Sequence, residues 1–288
     1  MDIKNIGIIG HGFVGKAVEH GFTTINTNIY IADPNYNLTV SNIFDKAQLD
    51  AVFICVPTPM EEDGSINADI VLDVLKELRV YGNDCVAIIK STITPDVFEE
   101  ALDIYSNIVY VPEFMRERHA NYDFIHHEML VIGSDRFDLP VDVHNLFRDH
   151  SRCDDCPTYY VDLRTASMIK YTMNSFLAMK VLFFNGIRDI FEGMGIEDEY
   201  PQFAQIVGSD SRIGSTHMNV PGPDGRKGFG GACFAKDTSA FADFARNIDS
   251  RFQLLEETIR INSIYRSEYS DLDAREKEQN VVYDLHSA

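Results

Sequence analysis

The most reactive arrangement in this sequence is a cysteine set among glycines: residues 228–237 read Gly-Phe-Gly-Gly-Ala-Cys-Phe-Ala-Lys-Asp. Glycines let a backbone close on a ligand without side-chain obstruction. Cys233 follows them, with Lys236 and Asp237 just beyond. A thiol beside a cation and exposed amides is held partly as thiolate, the form that attacks carbonyl carbon. Lys170 and Asn174 stand four residues apart in a helical pattern, so they stack on one side of a helix. Together they present donors to an oxygen that becomes negative. Singly, each feature has a plainer account, such as a buried cysteine after a turn or a solvated lysine. Their combination in one chain gives them weight.

Gly10, Gly12 and Gly15 form a G-x-G-x-x-G pattern between an apolar run at 5–9 and a helical stretch at 16–21. In that context the first glycine makes the turn and the second lets a pyrophosphate approach the backbone. The third lets helix and strand pack closely. The helix N-terminus then offers amides to phosphate. A second apolar run at 28–32 ends at Asp33, about 20 residues beyond the glycines, where a carboxylate accepts from ribose hydroxyls. The same carboxylate repels a 2′-phosphate, so the expected cofactor is NAD rather than NADP.

Further β-branched runs at 49–56, 86–89, 108–111, 129–132 and 159–161 alternate with helical patterns such as 69–80. The fold expected is α/β, a Rossmann-type doubly wound parallel sheet, followed by a long spine helix and a smaller all-α domain. Ligands of such sheets lie across the carboxyl ends of the strands, where Thr58, Thr92 and Glu113 fall. The spine helix is expected over 163–192, with a broad apolar face including Met168, Phe176, Val181 and Phe184, suited to contact between domains or subunits. Shorter helices are expected at 241–246 and 252–264. This divides the chain into a dinucleotide-binding domain at 1–161, a helical domain at 162–265 and a charged tail at 266–288.

The chain's 288 residues carry 25 lysines and arginines against 45 aspartates and glutamates, a net charge of −20. Such a surface repels nucleic acid, and an anionic ligand needs a local positive pocket. Five cysteines at irregular spacing, with no apolar leader, fit free thiols in a reducing cytoplasm. No apolar run approaches membrane-spanning length. Cys153 and Cys156 form one C-x-x-C beside Asp154 and Asp155. His119, His126 and His127 match no helical ligand pair, so no metal is expected.

From residue 7 to about 262 the sequence resembles the UDP-glucose/GDP-mannose dehydrogenase family, which oxidises the C6 alcohol of a nucleotide sugar to a carboxylate. The resemblance rests on an ordered set of motifs: the glycines at 10, 12 and 15, Val-Pro-Thr-Pro at 56–59, Ser-Thr at 91–92, and Pro-Glu-Phe-Met-Arg-Glu at 112–117. Lys-Tyr-Thr-Met-Asn at 170–174, Asp-Ser-Arg-Ile-Gly at 210–214 and the segment 228–237 complete it. It implies that Cys233 attacks an aldehyde intermediate, giving a thiohemiacetal and then a thioester that water hydrolyses. Lys170 and Asn174 would stabilise the oxyanion, Asp237 would work through a water in proton removal, Glu117 would serve hydrolysis and Thr92 would position water. The cofactor would be held by Gly10, Gly12, Phe13, Val14, Gly15, Asp33, Pro57, Thr58, Thr92 and Lys236. The sugar would be held by Glu113, Phe114, Glu117, Lys170, Asn174, Phe229, Gly230 and Gly231. Arg212 would reach a neighbouring subunit's substrate, implying a homodimer with a shared site.

The sequence also departs from the family pattern. It resembles a short form lacking the C-terminal nucleotide-binding domain, and the segment between Asp33 and Val56 is abbreviated. Arg118 stands where a glycine is usual, and Gly186 replaces the glutamate of an Asn-Glu pair. His127 and Met129 replace a proline and an arginine. Two other functions fit parts of the pattern: a two-domain β-hydroxyacid dehydrogenase removing one hydride, and a silent NAD or nucleotide-sugar binding protein.

Overall fold

In the computed structural model, which describes residues 4–82, 84–269 and 271–283, the chain divides into two units. One contains residues 1–58 and 67–170, the other 59–66 and 171–288.

The first unit is built on a seven-stranded sheet, ordered β2-β1-β3-β4-β5-β6-β7. Its strands are β1 (Lys4–Ile9), β2 (Thr27–Ala32), β3 (Ala51–Ile54), β4 (Val86–Ile89), β5 (Ile108–Tyr110), β6 (Leu130–Gly133) and β7 (Thr158–Val161). Helices α1 (Phe13–Phe22), α2 (Val40–Phe44), α3 (Asp69–Tyr81), α4 (Val97–Ile104), α5 (Ala120–Ile125) and α6 (Leu139–His150) connect them. Every residue of β3, and Ala87 to Ile89 of β4, is buried, as parallel strands covered on both faces require. Phe22, Phe53, Phe124 and Phe147 meet in the core, with ring centroids 5.0–6.3 Å apart.

β1 to β5 run parallel, but β6 joins β5 antiparallel through the pair Tyr110–Gly133, and β7 follows β6 in parallel. The sheet is therefore mixed at one edge. The chain between β5 and β6 carries only the six-residue α5 and a short 3₁₀ turn, and an antiparallel neighbour needs no full crossover helix. β1 pairs with β2 on one side and β3 on the other. The connections thus reverse direction beside β1, the position where doubly wound sheets open a crevice for ligands.

Helix α7 (Leu163–Gly193) begins in the first unit and continues in the second. The second unit adds α8 (Tyr200–Gly208), α9 (Ala232–Asn247), α10 (Gln253–Arg266) and α11 (Ala274–Glu278). Its core includes Ala178 and Leu182 of α7, Phe229, Ala235 and Val281. Helix α9 starts nine residues before the helix expected at 241–246, because its buried face carries Lys236, Asp237, Thr238 and Ser239, which conceal an apolar period. Within 266–288, read above as a charged tail, Arg266, Glu276 and Val281 are buried.

Candidate active site

The glycine turn follows β1, and its first member fixes the bend. Gly10 has φ +86°, and a Cβ there would lie 2.7 Å from the Cys55 carbonyl oxygen. A Cβ at Gly15 would collide with the Gly10 carbonyl, so α1 packs on the turn only through glycine. Gly12 is exposed, caps α1 without a side-chain bond and has open space where a Cβ would point. Phe13 and Val14, both half-buried, supply the first-turn amides. Asp33, at the end of β2, is buried; its Oδ2 accepts from His11 N at 2.6 Å and its Oδ1 from Asn35 N at 2.8 Å. These bonds hold the carboxylate against the glycine turn. The cradle a Cβ would fill and the carboxylate beside it fit a dinucleotide: amides and a helix N-terminus for the pyrophosphate, a carboxylate for the ribose.

The carboxyl ends of β3, β4 and β5 supply the next group. Ser91 Oγ donates to Val56 O at 2.7 Å and fixes the chain before Pro57, which is exposed, and Thr58, which is buried. Thr92 is half-buried after β4. Beyond β5, Glu113 is buried and accepts from Lys170 Nζ at 3.0 Å and Met115 N at 2.8 Å. Lys170 Nζ also donates to the Glu113 carbonyl at 2.5 Å and lies 5.6 Å from the centre of the Phe114 ring. Glu117 is exposed on the 3₁₀ turn Glu117–His119.

Two further groups nearby, one buried and one half-buried, do not stand out in the sequence. Lys90, which follows β4, is 5% exposed, and burial pulls its ammonium down to about 8 against the opposing attraction of Glu113. Cys55 follows β3, and burial pushes its thiol up to about 12, which leaves it no nucleophile at neutral pH.

The second unit assembles the thiol group. Gly231 caps α9, so Cys233 sits half-buried in the first turn of that helix, a position that favours negative charge. Asp237 stands one turn further on and is 1% exposed. Its Oδ2 accepts from Asn174 Nδ2 at 2.6 Å and its Oδ1 from Lys236 Nζ at 2.6 Å. Lys236, expected from the resemblance to bind the cofactor, forms an ion pair with Asp237. Tyr171 stacks on Phe241 at 5.6 Å and ties α7 to α9 near these groups. Arg212 is exposed and held by Asp210 through two bonds of 3.0 and 2.6 Å.

Phe229 is buried, whereas Gly230 and Gly231 are half-buried. Residues the sequence reading passed over hold this loop. Asn185 of α7 accepts from Gly228 N at 2.9 Å, and Asn262 of α10 accepts from Phe229 N at 2.8 Å. Arg266 and Glu276 complete the set. Asn185 belongs to the Asn-Glu motif position noted above, which was the one available signal. Among the described residues no group of histidines, cysteines and carboxylates is arranged to hold a metal.

Residues 32–150 match the NAD binding domain of the UDP-glucose/GDP-mannose dehydrogenase family, and residues 164–264 match that family's central domain. The chain belongs to the UDP-glucose/GDP-mannose dehydrogenase family. NAD is accordingly the cofactor of the first unit, and the family match covers the strand ends after β2 while the glycine turn precedes it. UDP-glucose 6-dehydrogenase YwqF of Bacillus subtilis is 34% identical over 242 residues, covering 81% of this chain and 52% of the relative. A Rhizobium meliloti UDP-glucose 6-dehydrogenase is 33% identical over 232 residues, 75% of this chain and 50% of the relative. The chain spans about half the length of the curated relatives it matches. Among solved structures, a UDP-glucose dehydrogenase from Pyrobaculum islandicum shares the fold with TM-score 0.75 at 23% identity, covering 91% of this chain and 68% of that one. A 3-hydroxyisobutyrate dehydrogenase of Mycobacterium tuberculosis shares it with TM-score 0.70 at 16% identity, covering 94% and 96%. Among the described residues no helix is long and apolar enough to cross a membrane.

Proposed function

We propose that this chain oxidises the C6 alcohol of a nucleotide sugar to the carboxylate with NAD, through a covalent intermediate on Cys233, and that UDP-glucose is its substrate. The observation that carries this is the arrangement on α9: a half-buried thiol in the first turn and, one turn on, a buried carboxylate fixed by Asn174 and Lys236. A single hydride transfer has no use for the thiol. Two successive oxidations of one carbon do, because the aldehyde between them must not escape.

Bound NAD supplies the hydride acceptor in each oxidation. Asp237, acting through a water, removes the alcohol proton as the aldehyde forms. The Cys233 sulfur then bonds to the aldehyde carbon, and the carbonyl oxygen, negative at that moment, takes donors from Lys170 and Asn174. The thiohemiacetal loses its proton and second hydride to become a thioester. Glu117 then assists water to attack it, with Thr92 positioning that water; the C–S bond breaks, and the carboxylate and the free thiol are released. The balance is one alcohol, one water and two oxidised cofactors giving one carboxylate, two reduced cofactors and three protons. In the ground state Lys170 is paired with Glu113, which holds the ammonium in place.

A second copy of the chain fits the same reading. Phe176, Phe183 and Ile190 of α7 are 61, 64 and 56% exposed, and their seven-residue spacing places them along one stripe. Such a stripe suits a homodimer, in which the exposed Arg212 would reach the partner's substrate phosphates.

The test is NADH formed per nucleotide sugar, with UDP-glucose first in the panel. Two equivalents, lost in Cys233→Ser together with the second oxidation, support the covalent route. One equivalent in the unaltered chain marks a single hydride transfer instead, and no NADH with any nucleotide sugar sinks the proposal.

A further inference from the structure

Residues 228–231 adopt a conformation that glycine permits but does not favour over others. Gly228 and Gly231 have φ of +74° and +79°, and a glycine loop free to sample other states would carry Cys233 with it. Something must select this one. Asn185, Asn262 and Arg266 hold the first half: Arg266 Nε donates to Phe229 O at 3.0 Å and its Nη2 to Gly228 O at 3.2 Å. The guanidinium occupies the space a Cβ on Gly230 would need.

The second half of the loop has a different anchor. Gly231, the cap of the helix bearing Cys233, donates its amide to Glu276 Oε1 at 2.9 Å. Glu276 lies in α11, and the family's central-domain match ends at residue 264, before it. It is only 2% exposed. Tyr283 Oη also donates to Oε1, at 2.5 Å, and Asp273 N donates to Oε2 at 2.8 Å, so both carboxylate oxygens are engaged and their direction is fixed. Burial, and then the bond to Glu276, push the Tyr283 phenol upward, so it remains a donor. Tyr283 also lies under the Arg266 guanidinium at 5.6 Å, joining the two halves of the support. Met60 N donates to Gln279 O at 2.9 Å and secures the end of α11. A buried carboxylate is costly unless such bonds repay its desolvation, and a glycine amide two residues before the thiol is where this one is spent.

We propose that Glu276 is a positioning residue for Cys233: it holds the Gly231 amide and thereby fixes the turn from which the thiol attacks. The proposal rests on the role of Cys233 given above, but its test does not need turnover. Glu276→Ala leaves the Gly231 amide without its acceptor. Amide exchange measured by mass spectrometry should then accelerate by more than about tenfold in the peptide over 228–234, with exchange in β3 and β4 unchanged. The rate of Cys233 alkylation by iodoacetamide should change by a similar factor. Glu276→Gln, which retains an acceptor for Gly231 and Tyr283, should restore both towards the unaltered values. Tyr283→Phe should move both in the direction of Glu276→Ala by less, and supplies the measurement if Glu276→Ala does not fold. Where nucleotide-sugar oxidation is measurable, kcat should fall in Glu276→Ala with KM for NAD unchanged. Unaltered loop exchange and alkylation in Glu276→Ala would overturn the proposal, as would a loss in Glu276→Gln equal to that in Glu276→Ala. Absence of turnover in the unaltered chain would count against the proposed function and leave these two readouts to decide the role of Glu276.

Discussion

The Asn174 carboxamide donates to Asp237 Oδ2 at 2.6 Å, while Lys236 takes the other oxygen of the same carboxylate at the same distance. Asp237 is therefore held at a fixed orientation by one neutral and one charged donor. A base that works through water needs this, since a rotating carboxylate would spend little time aligned. Asp237→Asn preserves the volume and removes the proposed base. It is expected to lower kcat for NADH formation by about 10²–10⁴-fold with KM for NAD little changed. A kcat near that of the unaltered chain would remove Asp237 from the reaction.

Asp33 gives the cofactor prediction. Its two oxygens accept from His11 N and Asn35 N, so the carboxylate orders the glycine turn, and the proposed function assigns it the ribose hydroxyls. Asp33→Ala should weaken NAD binding by about 10- to 100-fold, the range set by losing one or two bonds to a charged acceptor. Titration calorimetry with NAD reads this directly, without any sugar substrate. Asp33→Ala should also narrow the preference for NAD over NADP, because the charge that repels the 2′-phosphate is gone. Equal NAD affinity before and after the substitution would place the ribose elsewhere.

Most of the sheet was legible in the sequence because its strands are short apolar runs rich in β-branched residues. The run 86–89 is the whole of β4, and the helix expected over 163–192 is α7 within one residue. The reversal between β5 and β6 was not legible, since a strand's direction depends on the length and path of its connection. Helix α9 was half legible: its second part has an apolar period, while its first buries the polar side chains of the candidate site. The glycines, Asp33, Cys233, Lys170 and Asn174 stood out by type and spacing. The groups that hold them did not, because Arg266 and Glu276 are charged residues in a charged stretch whose bonds to the loop, Gly228 to Gly231, join residues some 40 positions apart in the chain. A sequence read locally assigns such residues to solvent.

The exposed stripe of α7 predicts the oligomer. Replacing Phe183, 64% exposed, by glutamate puts a charge into any surface that buries the stripe. A desolvated, unpaired carboxylate costs several kcal/mol, about 3–5 by comparison with broken buried pairs. Phe183→Glu should therefore shift the proposed dimer to monomer in sedimentation equilibrium, with its thermal midpoint otherwise retained. Arg212→Ala, which leaves the stripe intact, should keep the dimer and raise KM for the nucleotide sugar. A monomeric unaltered chain, or unchanged kinetics in Arg212→Ala, would refute the shared site.

Lys90 makes stability depend on pH in a direction opposite to that of a surface lysine. Burial at the end of β4 lowers its ammonium to about 8, whereas the unfolded chain gives it the ordinary lysine value of about 10.5. Between these values the unfolded state holds a proton the folded state has released, so stability from this group rises with pH across that window. Below about 8 both states are protonated, and the folded state bears the full cost of a buried charge. The difference between the two values, in which the attraction of Glu113 is already included, corresponds to about 3 kcal/mol. Lys90→Met, similar in length and without charge, should thus be more stable than the unaltered chain in urea at pH 7. The advantage should shrink steadily as pH rises from 8 to 10.5. An advantage that does not change with pH would mean that Lys90 keeps the same proton in both states, and that its burial is matched by attraction to Glu113.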